Sequence, residues 1–136
     1  MASVETVVWE RSSTDLRTVT ITYTAHTDGS VQDVVLPAGH QRLYGWWLAR
    51  VRTWPVSGGT APDAADVTVK DENGYDLLEG EGVALVHATD PKASFPLMGG
   101  APSLQPVLNN LTVAVVNQAT SGAQFCIALD FLKGEY

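Results

Sequence analysis

The eight residues Thr18–Ala25, TVTITYTA, decide how the rest of the chain is read. On an extended backbone Thr18, Thr20, Thr22 and Thr24 fall on one side and Val19, Ile21, Tyr23 and Ala25 on the other. β-Branched threonines suit a pleated surface and disfavour helix, so the stretch predicts a strand with its apolar row turned to a core. Downstream, Thr27-Asp28-Gly29-Ser30 is turn material and Val31–Leu36 predicts the partner strand, closed by Pro37 and Gly39. Upstream, Val4, Val7, Val8 and Trp9 suggest a first strand and Arg11–Asp15 a polar turn, with residues 1–15 expected to form an extended N-terminal arm.

The same alternation recurs. In Ser57–Gly80, SGGTAPDAADVTVKDENGYDLLEG, a loop leads into a strand on Val67 and Val69. Asp71-Glu72-Asn73-Gly74 then offers the positive φ that a tight turn needs, and Tyr75, Leu77 and Leu78 begin a return strand. At the other end Leu111, Val113 and Val115 alternate with Thr112 and Ala114. A turn over Asn117–Gly122 leads to Phe125, Ile127, Leu129 and Phe131, which should line the core; a second hairpin is expected.

Leu43–Trp54, LYGWWLARVRTW, is the longest apolar run and predicts a strand. Tyr44, Trp46, Leu48, Arg50, Arg52 and Trp54 share one face; Leu43, Trp47, Ala49 and Val51 share the core face. A bulge at Gly45 or Trp46-Trp47 would exchange these assignments. Gly80-Glu81-Gly82 breaks the chain before a short strand over Val83–His87, and residues 88–108, rich in proline and glycine, predict a long surface loop.

No segment shows a helical period. Seven to nine short strands, turns roughly every 8–12 residues, predict an all-β fold: one antiparallel β-sandwich or small β-barrel over 1–136. With 45% hydrophobic and 17% charged residues the chain belongs among globular proteins. Its formal charge of −7 opposes a broad nucleic-acid footprint. Neither a secretory leader nor an apolar run of about 20 residues, the length that spans a bilayer, is evident, so no membrane association is expected.

Chemistry-bearing patterns are sparse. His26, His40 and His87 lie on three separate segments, and no spacing makes them a metal site. Asp71, Asn73 and Asp76 miss the register of a calcium loop, since the glycine follows Asn73 at once and no glutamate stands at the twelfth position. Glu79 and Glu81 are too close in sequence to bracket a sugar as a glycosidase pair. Cys126, the single cysteine, sits in FCIAL as a small buried hydrophobe. No catalytic, cofactor-binding or metal-ligating residue is assigned, and no cofactor is expected. The aromatic set Trp9, Tyr44, Trp46, Trp47 and Trp54 has two readings. Exposed tryptophans can stack on sugars; set beside Arg50 and Arg52, they also suit the centre of a protein interface. The interface reading is preferred, with Trp9, Tyr44, Trp46, Arg50, Arg52, Trp54, Pro96 and Pro102 as its residues.

Four motifs in order carry a resemblance: Ile21-Thr22-Tyr23-Thr24-Ala25, Gly58-Gly59-Thr60-Ala61-Pro62, Asp66-Val67-Thr68-Val69 and Asp71-Glu72-Asn73-Gly74, followed by the LTVAVVN…AQFCIALDFL segment. Together they cover most of the chain, which resembles a family of small structural proteins of tailed bacteriophages. Trp46-Trp47 and the Asp90–Pro106 segment have no counterpart in that pattern. The resemblance implies a non-enzymatic virion component, assembled in the host cytoplasm. A capsid decoration or cement protein, often a trimer, would contact further copies of itself and the major capsid protein. The alternative it leaves is a tail or fibre component, with carbohydrate binding for host recognition.

Overall fold

Strand β2 (Leu16–Thr24) sits inside the larger of two packed antiparallel sheets, in a computed structural model that describes residues 3–11, 13–36, 43 and 45–133. Val19, Ile21, Tyr23 and Ala25 are fully buried while Thr20, Thr22 and Thr24 stay half-buried on the outer face, as the alternation requires. β1 (Val4–Arg11) pairs with β2 along its whole length, from Val4 opposite Thr24 to Arg11 opposite Arg17. The expected N-terminal arm is therefore, over these residues, an edge strand.

On its other side β2 meets β11 (Gln124–Lys133), and β11 meets β4 (Trp46–Pro55). Phe125, Ile127, Leu129 and Phe131 are all fully buried at the centre of the core. The smaller sheet has the order β3 (Val34–Leu36), β10 (Leu111–Val116), β5 (Asp66–Lys70). Leu36, Val67, Val69, Leu111 and Val113 close over β2, β11 and β4 in one hydrophobic cluster. This is an antiparallel β-sandwich, and no helix occurs among the described residues.

Two expected hairpins are corrected. Val31–Leu36 was expected to pair with β2, but both edges of β2 are taken, by β1 and β11. The chain turns at Gly29 (φ +88), whose α-carbon lies so close to Ala119 that a β-carbon would stand 2.3 Å from its carbonyl carbon. It crosses to the other sheet, where Val34–Leu36 pairs with β10. Similarly β10 and β11 are not paired with each other; the turn over 117–122, with Asn117 and Gly122 at positive φ, carries the chain between sheets. Pro37 and Gly39, expected to end β3, lie outside the described residues.

The return strand after Asn73-Gly74 is reduced to a single bridge, Lys70 with Asp76, and the Val83–His87 strand to another, Ala65 with Val86. Between them the chain runs in turns that bury Leu77, Leu78, Leu85 and Val86. Asp76 organises this segment: its carboxylate accepts the backbone N–H groups of Val69, Leu78 and Gly80 at 3.0–3.2 Å. Those contacts satisfy donors that a strand ladder would otherwise serve.

The expected loop over 88–108 is ordered as four short strands. β6 (Lys92–Ser94) and β9 (Gln105–Pro106) both pair with the free edge of β4. Between them β7 (Leu97–Met98) and β8 (Ala101–Pro102) fold about Gly99-Gly100, both at positive φ. The segment thus finishes the sheet, which no composition argument from its prolines and glycines could anticipate.

Candidate functional site

β4 carries the residues in question, and a bulge decides which way they point. Arg50 opposes Asp130 and Leu48 opposes Phe131, so Ala49 has no counterpart on β11. Before the bulge Trp46 and Leu48 face the core; after it Val51 and Thr53 do. The face assignment therefore holds for Val51, Arg50, Arg52 and Trp54 and is corrected for Trp46, Leu48, Trp47 and Ala49. Trp46 is only 8% exposed and belongs to the core cluster, with the Arg17 guanidinium 4.5 Å from its ring centroid. Trp47 is half-buried on the other face.

Arg50, Arg52 and Trp54 come together on the outer face. Thr18 Oγ1 donates to Asp130 Oδ1 at 2.8 Å, Arg50 Nε to Oδ2 at 2.8 Å, and Arg52 to both oxygens through Nε (2.8 Å) and Nη2 (2.9 Å). The Asp130 side chain is 7% exposed, Arg52 34% and Arg50 47%. Burial works to raise the Asp130 carboxyl, but the hydrogen bonds from Arg52, Arg50 and Thr18 outweigh it and hold the group below its ordinary value. One carboxylate thus orients two guanidinium groups, leaving the cluster with a surplus positive charge on an acidic protein. The Arg52 guanidinium lies over the Trp54 ring, 5.6 Å from its centroid.

This flank continues in both directions along β4. Arg52, Thr53 and Trp54 with Pro91, Lys92 and Ala93 line a depression of about 260 Å³. Toward the other end Ala49, Phe95, Pro96, Pro102, Ser103 and Leu104 line a groove of about 200 Å³. Pro102, Phe95 and Leu104 are exposed there, whereas Pro96 is buried beneath them. Trp9 is placed elsewhere: it opposes Val19 on β2 and packs half-buried against the core. Tyr44 lies outside the described residues.

Asp130, Phe95 and Leu104 are the residues that sequence reasoning missed. A lone carboxylate in the apolar run FCIALDFL was the available signal, because a buried acid in a central strand needs donors. Phe95 and Leu104 carried no signal, since their exposure follows from the small strands around them.

The described histidines and the acidic residues Asp71 and Glu79 serve turns. His26 Nδ1 lies 3.1 Å from Asp28 Oδ1, and His87 Nδ1 accepts the N–H groups of Thr89 (3.1 Å) and Asp90 (3.0 Å). His40 is outside the described residues. Asp71 accepts from the Asn73 and Tyr75 backbone, and Glu79 from Gly99, Gly100 and the Tyr75 hydroxyl. Cys126 is buried beside Thr22. Among the described residues no three His, Cys, Asp or Glu side chains gather as a metal site, and no helix is long and apolar enough to cross a membrane. No protein-family model, no curated protein and no solved structure matches this chain.

Proposed function

We propose that the protein is a non-enzymatic structural component of a tailed-bacteriophage virion, a decoration or cement subunit that stabilises the head. It would do so by contacts with further copies of itself and with the major capsid protein. The observation that carries this reading is the flank of β4, where Arg50 and Arg52 are fixed by Asp130 beside Trp54 and an apolar groove with Phe95, Pro102 and Leu104 at its rim. Pre-oriented arginines and aromatics are what interface centres use, because little side-chain entropy remains to be lost on docking. The ordered resemblance of the strand and turn motifs supplies the virion context. The test is to separate heads from tails of purified particles and find which fraction retains the protein. Retention by heads is expected; absence from the particle would overturn the reading.

A second reading places the protein in a tail or fibre, holding carbohydrate in the depression beside Trp54 that Lys92 also lines. Against it, the Arg52 guanidinium already covers the Trp54 ring on which a sugar would stack. Quenching of tryptophan fluorescence by a glycan, together with retention in the tail fraction, would favour it.

A further inference from the structure

β1 is the terminal strand of the large sheet; its eight residues, VETVVWER, contain no proline, and the charges that mark its edge are Glu5, Glu10 and Arg11. Glu5, Val7, Trp9 and Arg11 stand opposite Tyr23, Ile21, Val19 and Arg17, so they share the face that turns toward the core. At one end of this row, Glu5 has a carboxylate oxygen buried with no hydrogen-bond donor among the described residues. At the other end stands Arg11, exposed and opposite Arg17 in the register. Neither Glu5 nor Arg11 enters any ion pair among the described residues. A negative end, two apolar residues and a positive end form a self-complementary row.

We propose that β1 is a self-docking edge: two copies of this chain pair β1 with β1 antiparallel about a twofold axis through Val8, joining their large sheets into one. Opposite residues in an antiparallel pair must both turn their backbone groups toward the partner or both away, which limits a strand pairing with itself to alternate registers. Centred on Val7, Glu5 meets Trp9; centred on Trp9, Arg11 meets Val7. Centred on Val8, Glu5 meets Arg11 twice, Val7 meets Trp9 twice, Thr6 meets Glu10 and Val8 meets Val8. Only this last register joins both charges and covers both half-buried apolar residues. The contact is isologous, so it closes at two copies. It stands independently of any role in a virion.

Sedimentation velocity on the purified full chain tests it. The wild type is expected to be dimeric at micromolar concentration, with Glu5→Arg and Arg11→Glu each weakening self-association about tenfold and the double exchange restoring it. Val8 is 45% exposed and tolerates a probe. Across the axis two copies of Val8→Cys lie within disulfide reach and should cross-link under mild oxidation, whereas Thr6→Cys and Glu10→Cys should not link to themselves. A wild type that stays monomeric to about 100 micromolar, far above the affinity of a stable dimer, would overturn the proposal. So would a double exchange that fails to restore the dimer in variants that melt normally, or Thr6→Cys linking in preference to Val8→Cys.

Discussion

At Asp130 one residue sets the outer face of the large sheet, because three side chains converge with four hydrogen bonds on a carboxylate that solvent barely reaches. Asp130→Asn should cost about 1–3 kcal/mol, since charged hydrogen bonds are lost while the two arginines remain. The folded state holds this carboxyl below the ordinary 3.8, so its contribution is present above that pH and disappears as the pH falls through the lower folded value. Urea midpoints of wild type and Asp130→Asn should differ at about pH 6 and converge in strong acid. At Phe125, fully buried and stacked on Tyr23 with centroids 4.8 Å apart, truncation to alanine leaves a cavity. Phe125→Ala should lose about 3–5 kcal/mol and Ile127→Ala about 2–5 in the same unfolding assay. Near-neutral values for both would contradict the burial of that row. At this scale the sequence was readable where side chains alternated cleanly, as in β2, and where large apolar residues recurred at every second position, as at Phe125, Ile127, Leu129 and Phe131 of β11. It failed in β4, where both parities of WWLARV carry large apolar residues and the bulge at Ala49 leaves no mark on the pattern.

Among the elements, strands were legible and their partners were not. Alternation says which face is buried, but Val34–Leu36 and β10 obey it equally well in a hairpin or in a crossing between sheets. What decides is occupancy of the neighbouring edges and the close approach at Gly29, both properties of the assembled fold. The turn-rich segment after β5 was hidden for a related reason, since Asp76 supplies acceptors that a strand would have drawn from a ladder. One of its attachments to β5 is at Gly82, whose carbonyl accepts the Val67 N–H at 2.9 Å. A β-carbon on Gly82 would stand 1.8 Å from the Val67 carbonyl oxygen, part of the backbone and unable to swing aside. Gly82→Ala should therefore cost about 3 kcal/mol by forcing the segment off the strand, read as a lowered melting temperature and faster hydrogen exchange over 77–86. Wild-type exchange there would show that the backbone adjusts.

Over the whole molecule, eight Lys and Arg stand against fifteen Asp and Glu, yet Arg50, Arg52 and Lys92 collect along one flank of β4. This segregation was half legible: Arg50, Arg52 and Trp54 could be grouped by alternation, while Phe95, Leu104 and Lys92 join them only because the 92–106 segment folds onto the edge of β4. In a cement subunit that flank would meet an acidic, partly apolar partner surface, with the sandwich as its rigid support. The most direct measurement is the rupture temperature of heads with wild-type protein and with Trp54→Ala, alongside the melting temperature of each isolated subunit. Wild-type protein should raise the rupture temperature, while Trp54→Ala should melt within a few degrees of wild type and protect the heads poorly. Heads that rupture at the same temperature with and without the wild-type protein, or that are protected equally by Trp54→Ala, would contradict it.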